Sequence, residues 1–213
     1  MAYRETVKVK ARKAATRTKL LTSATELVGE AGFRQVQMSA VARKSGVAVG
    51  TLYKYFLSKE KLFANVFQMA TEREVSHVEL ALQGSQSAPQ RLRNALQLFA
   101  ERALKNPTLA WALIAEPVDP EVDSERLIYR ARYAQLFERT IEQGIAAGDL
   151  PPQNASCSST ALVGAIAESL IGPLAPKPAN DNSLNQAAVI NHILNFCLQG
   201  LGATAAASVR STA

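Results

Sequence analysis

Seven consecutive residues hold the densest chemistry in this chain: Val49-Gly50-Thr51-Leu52-Tyr53-Lys54-Tyr55. A hydroxyl, two phenols and one ammonium group within two helical turns include no nucleophile–base pair and no pair of acids. They can donate hydrogen bonds and place a positive charge, which is what phosphates and base edges accept. Catalytic material elsewhere is scarce. His77 and His192 stand apart with no ligand cluster around them, so no metal is expected. Cys157 and Cys197 lack Cys-x-x-Cys spacing and read as buried free thiols. No Ser-His-Asp elbow, P-loop, glycine-rich dinucleotide turn or His-Glu-x-x-His string is present. The expectation is therefore a binding protein with no enzymatic activity and no cofactor. A small helical enzyme and a nucleic-acid-coating, nucleoid-type protein that binds with little sequence preference are the alternatives from other classes.

The charge pattern points the same way. Residues 1–65 hold 13 Lys/Arg against 4 Asp/Glu, whereas residues 66–213 hold 11 against 14, within a total of +6. A basic head on a mildly acidic body is the footprint of a polyanion binder. Charge alone does not separate DNA from RNA or an anionic membrane. The start of the chain is charged, and the longest apolar run, Ala161 to Ala167, is far short of the ~18 residues of a membrane span. The expected location is the cytoplasm, with no membrane partner.

The elements that must position these groups all read as helices, since no segment alternates in the manner of a strand. The pattern predicts an all-α fold of about nine helices. Helix 1 runs from about Val9 to Ala31 and stops at Gly32; helix 2 spans Met38 to Lys44; helix 3 spans Val49 to Phe56. Ser58 caps a fourth helix reaching Leu82. Ser87 to Gln90 fits a capping box opening helix 5, Asn106-Pro107 opens helix 6, and Asp119 caps helix 7, which runs to about Ala147. Helix 8 runs from Ala155 to Ile171 and stops at Gly172-Pro173. Ser183 to Gln186 fits a second capping box, for helix 9. Val41, Ala42, Val47, Leu52 and Phe56 have the offsets by which two short helices share one small core around a reversal at Gly46. The remaining face of helix 3 is then free. The expected division is a helix-turn-helix DNA-binding domain at 1–57, an effector-binding and dimerisation domain at 58–203, and a flexible tail at 204–213.

From Thr18 to Phe67 the sequence resembles the DNA-binding domain of the TetR (tetracycline-repressor) family. The matching residues are Leu20-Leu21, Ala24, Leu27, Gly32-Phe33, Val41-Ala42, Gly46-Val47, Gly50 through Phe56, and Ser58-Lys59-Glu60-Lys61-Leu62. The resemblance implies that helix 3 lies in the major groove, with Val49, Gly50, Thr51 and Lys54 nearest the base edges and Lys54 reading a base directly. It implies phosphate contacts from Tyr53, Tyr55, Lys59, Ser39 and Arg43. Gln37 departs from the Ser or Thr that usually caps helix 2, and Ser39 is expected to take over part of that role. The cations Lys8, Lys10, Arg12, Lys13, Arg17 and Lys19 form an arm whose contact with DNA is left open.

The same resemblance implies a C-terminal domain that binds a small effector and pairs with a second copy. The residues support pairing independently. Helix 8 carries the small residues Ala161, Gly164 and Ala165, and helix 9 carries Ile190, Leu194 and Leu198. Two helices this apolar need cover on both faces, which a four-helix interface across a two-fold axis supplies. Candidate effector contacts are Trp111, Ile114, Tyr129, Tyr133 and Phe137 as apolar walls, with Glu116 and Glu168 as acids in apolar surroundings. The function so implied is a sequence-specific regulator, a repressor released from a palindromic DNA operator by a small lipophilic effector.

Overall fold

The computed structural model describes residues 6–176 and 185–203. The tail at 204–213 and the Ser183 end of the second capping box lie outside the described residues. Among those described there are nine helices and no strand: α1 (Val7–Ala31), α2 (Met38–Lys44), α3 (Val49–Tyr55), α4 (Lys59–Ala81), α5 (Ala88–Lys105), α6 (Pro107–Ile114), α7 (Pro120–Ala147), α8 (Ala155–Leu174) and α9 (Gln186–Gly200).

The head forms because α1 repeats apolar residues on one face. Leu20, Leu21, Ala24 and Val28 are buried, and against them pack Val41 and Ala42 of α2, Leu52 of α3 and the following Phe56. Gly32 ends α1 at φ +79°, its N–H reaching the Val28 carbonyl at 2.8 Å. A Cβ there would strain the backbone and stand 2.9 Å from the Glu116 carboxylate. Gly46 likewise adopts φ +65°, allowing the chain to reverse between α2 and α3.

The head's core does not stop at residue 57. Leu62, Phe63, Val66 and Phe67 of α4 complete it, joined by Ala112 of α6 and by Val122 and Tyr129 of α7. Val78, farther along α4, belongs to the body's core. At 1.5 Å per residue, the 23 residues of α4 span about 34 Å and run through both cores.

Several helix ends are satisfied differently from expectation. Ser58 does cap α4, accepting from the Lys61 N–H at 3.2 Å. The Ser87 capping box is not made; the Asp149 carboxylate reaches over from the α7–α8 turn and accepts from the Ala88 N–H at 3.1 Å. Neither Asn106 nor Asp119 caps through its side chain, and neither Gln37 nor Ser39 caps α2. Asn185 caps α9, its side chain accepting from the Ala188 N–H at 3.2 Å. Helix α8 continues past Gly172 to Leu174 with Pro173 in its last turn, where the proline forgoes one backbone hydrogen bond as the helix ends.

Helix α8 has the length and composition of a membrane span. Here its apolar residues Leu162, Val163, Ile166, Leu170 and Leu174 are buried in the body's core.

Candidate nucleic-acid interface and ligand cavity

Leu52, fully buried, anchors α3 and so decides which of its side chains face outward. Val49 is 40 % exposed and Tyr53 44 % exposed; Lys54 is exposed, and nothing lies within 4 Å of where a Gly50 Cβ would stand. Thr51 and Tyr55 are half-buried, and Tyr55 packs against the head's core. Ser39 and Arg43 lie exposed on α2 beside this face.

The cations of the head divide into two groups. Lys44 bridges Glu26 and Glu30, each at 3.2 Å, and these carboxylates raise its pKa. Lys61 pairs with Glu121 of α7. Arg17 bonds Asn65 and lies over the Phe56 ring. The Lys59 ammonium lies 5.1 Å from the centre of the Phe63 ring. Lys54 and Arg43 have no ion-pair or hydrogen-bond partner among the described residues. Lys19 places its ammonium beside the Gly46 turn, 3.8 Å from that glycine's Cβ position. Two cations without a partner among the described residues, a phenol, a small apolar side chain and a bare glycine, all exposed on α2 and α3, leave room and charge for a polyanion's edge. The basic arm is the helical start of α1, and Lys8, Lys10 and Arg12 are exposed on it.

In the body a cavity of about 110 Å³ lies among α4, α5, α6, α7 and α8. Ile114, Tyr129, Tyr133 and Phe137 line it, as the sequence suggested. Phe67, Thr71, Phe99, Arg102 and Arg126 also line it, and sequence reading missed them. A signal for them existed: Phe67, Thr71 and Glu74 share one face of α4, and Phe99, Arg102 and Ala103 share one face of α5. Polar residues on otherwise core-facing stripes mark a wall rather than a core.

Three effector candidates lie elsewhere. Trp111 lines an open groove on the far side of α6. Glu168 is exposed on the outer face of α8. Glu116 is buried and committed: its two oxygens accept from the backbone N–H groups of Phe33, at 2.9 Å, and Arg34, at 3.0 Å. Its carboxylate thus holds the turn after α1 to the α6–α7 connection, and it lines the groove beside Trp111 rather than the cavity. Arg126 reinforces this joint by donating to the carbonyls of Leu113 at 3.0 Å and Glu116 at 2.8 Å, while also lining the cavity. Burial lowers the Arg126 pKa, against the attraction of Asp123.

Of the charges at the cavity wall, Arg102, Glu74 and Arg126 are paired, while Arg130 is exposed there with no ion-pair or hydrogen-bond partner among the described residues. Arg102 and Glu74 form a two-point contact, at 2.5 and 2.7 Å. Tyr129 donates to Glu72, which also pairs with Arg132. Desolvation, aided by Glu72, pushes the Tyr129 hydroxyl up to about 12, and burial moves Tyr133 upward too. Both phenols stay protonated at any physiological pH.

The pairing surface also needs correction. Ile190, Leu194 and Leu198 are buried inside the protomer, because α9 uses that stripe to cover the body's own core. The outward faces of α8 and α9 carry Ala161, Gly164 and Ala165, the last two half-buried, and Phe196, which is 67 % exposed. Cys157 is exposed rather than buried, whereas Cys197 is buried and its thiol is pushed up to about 11 by desolvation.

Two family models match the chain. One describes bacterial regulatory proteins of the tetR family and covers residues 20–66. The other describes the tetracyclin repressor-like C-terminal domain and covers residues 85–170. The HTH-type transcriptional regulator UidR of Escherichia coli (strain K12) is 30 % identical over 139 residues, which is 63 % of this chain and 71 % of that protein. The fatty acid metabolism regulator protein of Bacillus subtilis (strain 168) is 21 % identical over 185 residues, 85 % of this chain and 93 % of that one. In three dimensions the chain is similar to the transcriptional regulator FadR of Bacillus subtilis, crystallised with stearoyl-CoA. The TM-score is 0.72 and the identity 21 %, covering 86 % of this chain and 98 % of that one.

Proposed function

The chain belongs to the tetR family of bacterial regulatory proteins, and on that premise we propose that it is a repressor whose dimer grips a palindromic operator until a small lipophilic effector enters the body's cavity. Its relatives are DNA-binding transcriptional regulators, and its body has the family's C-terminal domain. The observation that carries the reading is the outer face of α3, where Lys54 stands exposed and unpaired beside Val49, Gly50 and Tyr53, with Arg43 of α2 alongside. Lys54 donates to guanine O6/N7, and Arg43, Ser39 and Tyr53 hold phosphates. Thr51 and Lys59 contribute at the margin, and Tyr55 divides its ring between core and DNA. One such head touches few base pairs, so two heads related by a two-fold axis read a palindrome.

Phe196 and the small-residue face of α8 supply the pairing surface, with Glu168 at its edge. An exposed phenylalanine beside a face that accepts close helix approach is what a second copy would cover. The site of action is the cytoplasm, where the operator DNA lies.

Release follows from linkage: the effector must bind the DNA-incompetent arrangement more tightly. Leu113, Ile114 and Arg126 line the cavity, and Glu116, two residues past α6, grips the head. Pressure on the end of α6 therefore reaches the turn before α2 directly, and α4 carries the same motion along its length.

A gel shift on the promoter DNA next to the chain's own gene tests the reading. A discrete complex that survives excess random DNA is the expected result. Binding abolished by random DNA would make this a nucleoid-type protein. Light scattering is expected to give a dimer at micromolar concentration, and Phe196→Glu a monomer.

A further inference from the structure

We infer that the cavity takes a compact, uncharged, ring-sized apolar molecule with one hydrogen-bonding hydroxyl or carbonyl, anchored by Thr71 and Tyr133, rather than a long-chain acyl ester. The inference rests on the reading of this cavity as the effector site.

Thr71 carries the argument. Helical Ser and Thr residues normally return their hydroxyl to the carbonyl one turn back, and in this chain Thr16, Thr25, Ser76, Ser124, Thr140 and Thr160 all do so. Thr71 lines the cavity, is 6 % exposed, and its hydroxyl has no hydrogen-bond partner. A sealed hydroxyl without a partner destabilises the empty protein. Tyr133, on the facing helix α7, packs edge-on against Phe99, and its hydroxyl also receives no hydrogen bond among the described residues. One sealed, unsatisfied hydroxyl faced by a half-buried phenol with no protein partner among the described residues is what a ligand's single polar group would satisfy.

Size and charge narrow the ligand further. A cavity of roughly 150 Å³ lined by apolar side chains is known to hold benzene, so about 110 Å³ is space of the order of one ring. An eighteen-carbon chain needs several times that. The aromatic walls, Phe67, Phe99 and Phe137, suit a flat molecule through offset and edge contacts. The inner ions are already neutralised: Arg102 by Glu74, and Arg126 by Asp123 and three backbone carbonyls. A charged ligand group deep inside would meet only ions that are already paired; Arg130, exposed at the lining, is the cation that an anionic group such as that of benzoate would have to reach.

The test is calorimetric titration of the full-length protein with 4-methylphenol, toluene, benzoate and stearoyl-CoA, repeated on Thr71→Val and Tyr133→Phe. The cresol is expected to bind about tenfold more tightly than toluene, and Thr71→Val to remove about tenfold from the cresol alone. Without ligand, Thr71→Val is expected to raise the melting temperature, because it deletes the unsatisfied hydroxyl. Equal affinities for cresol and toluene, an equal effect of Thr71→Val on both, no binding by either ring, or tighter binding of benzoate or stearoyl-CoA would each overturn the inference. Gel shifts with the same compounds separate it from the reading beneath it. Stearoyl-CoA that binds and releases the operator refutes the ligand class and keeps the effector site. Cresol that binds without releasing the operator keeps the ligand class and refutes the effector role.

Discussion

The head and the body treat their charges differently, and the difference shows how each is used. The head buries the Ser45 hydroxyl without a partner and turns Lys54 and Arg43, two cations with no partner among the described residues, outward to solvent. The body pairs its inner charges, Arg102 with Glu74 and Arg132 with Glu72, and leaves the Thr71 hydroxyl buried without a partner. Unpaired charge is cheap only in water, so a surface that recognises a polyanion must be open. An unpaired neutral hydroxyl can be held inside at a cost of about 1–3 kcal/mol, and a ligand returns that cost when it binds. Glu116 is the joint between these two economies.

Breaking the joint has the largest expected effect. Glu116→Ala strips two backbone N–H groups of their acceptor and removes a charge-assisted contact, so unfolding stability should fall by about 3 kcal/mol. Thermal or urea unfolding measures this, and a loss below about 1 kcal/mol would mean the joint is peripheral. Glu116→Gln keeps one acceptor and should fold, with effector-induced operator release weakened.

The head's open face comes next. Lys54→Ala should weaken operator binding by about 10- to 100-fold and relax the base preference at one position per half-site, while leaving the melting temperature unchanged. Titration against operators varied at each position reads both effects. Arg43→Ala should weaken binding to every sequence alike and lower the salt slope by about 1 per subunit. Deleting residues 1–12 sharpens the comparison again: a reduced slope places Lys8, Lys10 and Arg12 on phosphates, and an unchanged slope makes the arm a bystander.

The smallest effect is in the body's outer ion pairs. Arg132, with help from the Tyr129 hydroxyl, lowers the Glu72 pKa below the usual carboxylate value of about 4.3. A depressed folded pKa adds stability above the unfolded pKa, and this is lost as pH falls through the folded value. The melting-temperature gap between the wild type and Glu72→Gln should therefore close on acidification below about pH 4. Glu72 is half exposed, so the gap itself is small.

Much of the head was legible in the sequence because its rules are local. Gly32 and Gly46 had to be glycine where the chain takes positive φ, and Leu52 and Phe56, four apart, could face only one way. Helix order, most helix limits and the Ser58 cap follow from spacing of the same kind. The body was legible as helices but not as a site. Tyr129, Tyr133 and Phe137 follow a stripe on α7 that marks a wall. Trp111, on the other side of its own short helix, and Glu168, on the outer face of α8, obey the same composition and miss the cavity. Caps drawn from neighbouring sequence failed where a distant side chain did the work, as Asp149 does for α5.

The α3 face thus belongs to the sequence alone: Leu52 at the centre of seven residues decides that Val49, Gly50, Tyr53 and Lys54 point away. Tertiary structure decided the rest. Ile190, Leu194 and Leu198 face inward because α5 lies beneath them, which no periodicity on α9 could foretell. Glu116 grips the head because two segments 82 and 83 residues apart in sequence meet there. Thr71 lacks a partner because the polar groups that share its cavity, Arg102, Glu74 and Arg126, are bonded to one another or to backbone carbonyls, and that arrangement belongs to five packed helices rather than to any one of them.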